Sequence, residues 1–405
     1  MYVIDPLGKE QPYGINYGPF GTPFVDLPPW NGLVSAPAWP GDGGHFDHLE
    51  PGTPAFEAAH VFGCARFVLD VWERFFGQPL AWHFGRHLRR LEIVLLPQFD
   101  NAHAGYGFLE VGSHFTDEGE ALPFSLNFDI IAHEVGHLIV SAQVGSPSPV
   151  TAEGEYFGFH ESAADLVALI ASAHFDSVIE ALLRQTRGNL YVLNRLNRIG
   201  ELSDNDEIRL ASNPVKLSAF ADGWTKEHQL SLPLTGAMFD ILVDVFHEKL
   251  LEKNLITPEV EDLADQVERL PEYEGVIQAA FDEAYWQKHD GFKETLLEAR
   301  DYLGYLLAQT WSMLSPHYLN YTDVAAALLR ADRRLSGGSY QRLILTNMGK
   351  RDIGTAVVGP RLSPPGRASH AFSARTVQPE ARRQLPRMSH REQWELARRR
   401  ARPYR

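Results

Sequence analysis

With 405 residues, 44% hydrophobic and 11% aromatic, the chain can bury a sizeable core, which excludes a largely disordered protein. Its apolar runs fall far short of a bilayer span, and Met1-Tyr2-Val3-Ile4-Asp5-Pro6 lacks the basic start and apolar stretch of a signal peptide, so a cytoplasmic protein with no membrane partner is expected. The single cysteine, Cys64, excludes an internal disulfide and a multi-thiolate metal site; the net charge of −15 is uneven, with 20 Lys and Arg against 47 Asp and Glu in residues 1–330 and 17 against 5 in residues 331–405.

Residues 1–50 are rich in Pro, Gly and aromatics and read as an extended arm that wraps a domain. Next, Ala58, Val61, Phe62, Ala65, Val68, Leu69 and Trp72 recur at helical spacing after Thr53-Pro54, and Gly77 ends the pattern. Residues 91–96 (LEIVLL) predict a buried strand, 100–107 a turn and 117–121 a polar loop. A helix is predicted from near Ser125 to the Gly145-Ser146-Pro147 break, and a second over 159–173. Helical patterns then cover 234–251, 258–270, 285–314 and 322–335. The expected organisation is an arm over 1–50, one lobe over 51–150, a mainly helical part over 151–356, and a basic, disordered tail over 357–405.

Chemistry concentrates at His133-Glu134-Val135-Gly136-His137. HExxH on a helix puts two imidazoles one turn apart on one face, where they can grip one metal ion, with the glutamate beside it as a proton acceptor. Phe128, Ile130, Ile131, Leu138, Ile139 and Val140 predict that this helix is buried, so its histidines need partners. On the second helix, Glu161 supplies a third ligand, leaving a fourth position open as catalytic zinc requires. Asp165, one turn later, can accept the free ring N–H of a ligand histidine and hold its tautomer. His160 points about 100° away from Glu161 on a helix and is not expected to bind the same ion.

From these residues the chain resembles the gluzincins, and among them the thermolysin-like family, over about residues 45–356. Asp129-Ile130-Ile131-Ala132-His133-Glu134 resembles the family's helix entry. Asp100-Asn101-Ala102-His103-Ala104-Gly105-Tyr106 resembles its edge strand that holds substrate backbone, and Ile208-Arg209-Leu210-Ala211-Ser212-Asn213-Pro214 the segment whose arginine bonds a substrate carbonyl. The resemblance implies an α+β, two-lobed zincin: an N-terminal lobe with a β-sheet and the active-site helix, and a mainly α-helical C-terminal lobe. It implies Zn2+ as cofactor, a peptide or protein substrate, and substrate contacts from Asn101, Ala102 and Arg209. It also implies an oxyanion-donating histidine, for which His228 is the candidate in a loop before Thr235-Gly236, with Asp222 orienting it; the spacing from His228 to Gly236 is longer than in thermolysin. Departures from the family are expected in having no inhibitory propeptide or secretion signal before the domain, in keeping only Asp129 of the calcium carboxylates, and in having no aligned tyrosine for the oxyanion, with Tyr156 the nearest.

The expected function is a zinc-dependent metalloendopeptidase in which Glu134 deprotonates a zinc-activated water and passes the proton to the leaving amine. Two alternatives stand beside it. One is an inactive zinc-binding interaction module, against which the absence of a fourth protein ligand weighs. The other is a protease that binds nucleic acid through the Arg-rich tail, against which the lack of interleaved aromatics weighs.

Overall fold

The computed structural model describes residues 1–17, 21–190, 198–199, 209–260 and 274–354. In chain order its first strands are β1 (Tyr2–Ile4), β2 (Gly14–Tyr17), β3 (Pro23–Asp26), β4 (Glu92–Leu95), β5 (Ala102–Ala104) and β6 (Phe108–Val111). The main sheet runs β1-β4-β6-β5; the first three strands are parallel and β5 lies antiparallel at one edge. Side chains alternate across such a sheet. Ile93, Leu95, Leu109 and Val111 face the helices, while Val94 and Phe108 face the opposite way with Tyr13 and Leu27.

That second face corrects the reading of residues 1–50 as an arm alone. β1 is a strand of the main sheet, and Tyr13 is a core residue beneath it. Two buried carboxylates fasten the segment to the sheet. Glu92 accepts from the hydroxyls of Tyr2 and Tyr13 (2.6 Å for Tyr13) and from the Trp30 backbone N–H. Glu110 accepts from the Tyr13 N–H at 2.7 Å, and the Lys9 ammonium lies 3.2 Å away. Three-residue strands set among Pro and Gly leave too short an alternation to be read from sequence.

The helices follow the sequence logic at their ends. In α1 (Pro54–Phe76), Thr53 caps the start by accepting from the Phe56 N–H, and Gly77 closes it with φ +70. A hairpin of β7 (Ser113–Phe115) and β8 (Ala121–Pro123) then leads to α2 (Phe128–Gln143), where the Asn127 side chain accepts from the N–H groups of Asp129 and Ile130. α3 (Gly154–Ser172) begins five residues earlier than its predicted start at 159. Gly158 weakens the helical signal, yet a Cβ there would lie 2.5 Å from the Tyr321 hydroxyl, so close packing demands it. α4 (Asp176–Thr186) follows, then β9 (Arg198–Ile199) paired with β10 (Arg209–Leu210).

α5 (Glu227–Glu252) also starts before its predicted limit at 234, running through Pro233. Proline removes a helical hydrogen bond. Around it, side chains take up backbone carbonyls: Ser231 Oγ donates to His228 O, Tyr321 Oη to Leu230 O, and Asn213 Nδ2 to Leu232 O. α5 is long and apolar enough to cross a bilayer, but most of it is buried in the core. α6 (Glu274–Trp311), bent at Lys288, α7 (Tyr321–Leu335) and α8 (Gln341–Lys350) complete an α+β fold in which α3 packs between α2 and α5. The helix expected over 258–270 lies largely outside the described residues, as does the basic tail over 357–405.

Candidate metal centre

The centre lies at the crossing of α2 and α3. Gly136, between the two histidines of α2, makes the crossing close: a Cβ there would stand 2.7 Å from Ala164 Cα. At that separation Glu161 reaches α2. Its Oε2 lies 3.4 Å from His133 Nε2 and 3.7 Å from His137 Nε2. Ligand atoms of His133, His137 and Glu161 fall within 4.8 Å of one another, and all three residues are buried. They form a group that could hold a metal ion.

The remaining ring nitrogens have partners of different kinds. His133 Nδ1 lies 2.9 Å from Asp165 Oδ1, the contact expected from the one-turn spacing of Glu161 and Asp165. His137 Nδ1 lies 2.9 Å from His160 Nδ1, and His160 Nε2 lies 3.4 Å from Ser141 Oγ. His160 thus lies outside the group of His133, His137 and Glu161 but touches His137. Helical spacing within α3 could not reveal that contact, because it depends on how α2 crosses α3. The Ser141 position, one turn beyond His137 on α2, was the available sequence signal.

His228 is on the first turn of α5, not in a loop, and its Nδ1 lies 3.0 Å from Glu161 Oε2. The Thr235 hydroxyl donates to Ser162 Oγ at 2.9 Å, tying α5 to the residue after Glu161. Burial raises the Glu161 pKa, but the charges of His228 and His137 and hydrogen bonds from His133 and His228 outweigh it, holding the carboxyl well below the usual range. Glu134 is buried on α2 between His133 and His137.

The other expected site residues are distributed as follows. Ala102 is in edge strand β5, preceded by Asn101, whose carbonyl accepts from the Gly112 N–H at 3.0 Å. Asp222 is exposed in the turn before α5. A residue six positions before the helical His228 sits on a separate turn. Arg209 lies in β10, and its side chain is outside the described residues. Tyr156 is buried, with its hydroxyl donating to Gly145 O, so its polar end is already committed. Asp129, expected as the one calcium-family carboxylate, accepts from the Ser172 hydroxyl and joins the start of α2 to the end of α3.

No family model matches this chain, and no curated protein matches it. Among solved structures it is similar to the precursor of protealysin, a metalloproteinase from Serratia proteamaculans, with a TM-score of 0.47 and 9% identity over 78% of this chain and 86% of that one. The chemistry of the site, not this likeness, carries the functional reading.

Proposed function

We propose that the chain is a zinc-dependent metalloendopeptidase of the thermolysin-like, gluzincin type. The observation that carries this reading is the two-sided use of the histidines: their Nε2 atoms converge on Glu161, while Asp165 and His160 occupy their Nδ1 sides. Two imidazoles and a carboxylate are a donor set that suits zinc, and their Nδ1 contacts are those a ligand histidine needs. His133, His137 and Glu161 would hold the ion, and when bound it supplies Lewis acidity that polarises the scissile carbonyl and acidifies a water.

Glu134 takes the proton of the attacking water and delivers it to the leaving amine. His228 donates to the oxygen of the developing tetrahedral centre, a role supported by its place beside Glu161. β5 accepts an extended peptide as an added strand, aligned by Asn101 and the Ala102 backbone, and Arg209 bonds a carbonyl beyond the scissile bond. On this reading the sheet with α1 and α2 forms one lobe, the helices from α3 onward form the other, and the substrate is a peptide or protein lying between them. Glu134→Gln is the test: zinc stoichiometry should stay as in wild type while peptide cleavage falls by about 10²–10⁴-fold. Normal cleavage by that variant would refute the mechanism.

A further inference from the structure

We propose that His160, oriented by Ser141, positions the metal ligand His137 by accepting its Nδ1–H and so fixing the tautomer that leaves Nε2 for the ion. The inference rests on the zinc reading above and adds to it a residue that binds neither metal nor substrate. Two imidazole nitrogens 2.9 Å apart need one proton between them. Two protons would repel, and none would set lone pair against lone pair. When His137 binds a metal through Nε2, its ring is neutral and its proton is on Nδ1. His160 Nδ1 is then the acceptor, and the proton of His160 is on Nε2, facing the Ser141 hydroxyl. With centroids 5.0 Å apart and planes 20° apart, the rings meet end to end, the disposition an N–H···N bond needs.

His160 is fully buried, so bulk water cannot stand in for it. The Tyr156 ring lies 5.6 Å away, itself held through its hydroxyl to Gly145 O, and limits swinging of the imidazole. The choice of acceptor matters electrostatically. His133 is backed by the carboxylate of Asp165, and Glu134, Glu161 and Asp165 already place three acids in one buried site. An imidazole on His137 supplies the acceptor without another buried charge.

The test uses the full chain, loaded with zinc and labelled with 15N at histidine. We expect one proton bridging His137 Nδ1 and His160 Nδ1, seen as a nitrogen–nitrogen coupling through the hydrogen bond, with His160 protonated at Nε2. A bridging proton bonded to His160 Nδ1, or no coupling, overturns the inference. Zinc affinity by competition titration gives the second readout. His160→Asn keeps a side-chain acceptor and should stay within about threefold of wild type, while His160→Leu should bind about 10–100-fold more weakly. Equal affinity in all three proteins, or equal losses in both variants, would refute the positioning role. If His160→Leu does not fold, the wild-type coupling and the His160→Asn affinity decide. A wild type that binds no zinc removes the metal reading and the positioning role together; zinc binding that His160→Leu leaves unchanged removes the positioning role alone.

Discussion

Gly136→Ala separates helix propensity from the geometry of the metal site. In an isolated helix the change stabilises by about 1 kcal/mol. Here the new Cβ would stand 2.7 Å from Ala164 Cα and 3.1 Å from Ala164 Cβ and O, with backbone rather than a flexible side chain in the way. Relief to an ordinary contact requires α2 and α3 to part by roughly 0.7 Å, and forcing a methyl into so close a crossing costs about 1–3 kcal/mol. The net stability change is therefore small to moderately destabilising. The metal site is less tolerant, because Glu161 is one turn from Ala164 and metal–ligand distances hold to about 0.2 Å. We expect zinc affinity to fall by about tenfold or more while the fold persists. Thermal unfolding and zinc competition titration on the same preparation would measure both. A higher Tm with unchanged zinc affinity would refute the close-crossing argument.

Asp165→Ala removes the acceptor behind His133 and should weaken zinc binding by about 10–100-fold, read by metal titration; an unchanged affinity would show that His133 needs no such partner. Glu110→Leu deletes the buried carboxylate shared by the Tyr13 N–H, His103 Nε2 and the Lys9 ammonium, leaving Lys9 only the Gln11 carbonyl and Asp26 at 3.8 Å, and should destabilise by about 3–5 kcal/mol in urea unfolding, with zinc affinity retained. A loss of zinc binding without a loss of stability would contradict that assignment. Burial lowers the His83 pKa to about 4, below its ordinary 6.5. The unfolded chain then binds the extra proton first, so this contribution is full above pH 6.5 and lost as pH falls from 6.5 toward 4. His83→Phe keeps the ring packing against Phe84 and Tyr106 and should flatten stability across that window; an identical pH profile would exclude His83 as its source.

Two spacings of the candidate metal centre were legible because each lies within a single helix: His133 to His137, and Glu161 to Asp165. Four residues is one turn whatever else the chain does. Contacts between helices were not legible in that way. His160 meets His137 only because Gly136 lets α3 approach, and His228 reaches Glu161 from a helix that runs through Pro233, ahead of the pattern read from 234. There the carbonyls near the proline are taken up by Tyr321 and Asn213, both distant in sequence. β1 was hidden for another reason: its partner β4 lies far along the chain, and three residues carry almost no periodic signal.

Pairing of β1 with β4 also bears on the order in which the chain can fold as it is made. Tyr2 and Glu92 are 90 residues apart, so the earliest strand has no neighbour in the sheet until α1 has emerged and β4 follows it. Until then Tyr2, Lys9 and Tyr13 wait without the two carboxylates that receive them. A fragment begun after residue 30, as a boundary at residue 51 would suggest, never acquires them. It would bare Glu92 on β4 and Phe108 and Glu110 on β6, so the sheet that carries α1 and α2 on one face would lose the segment that closes the other.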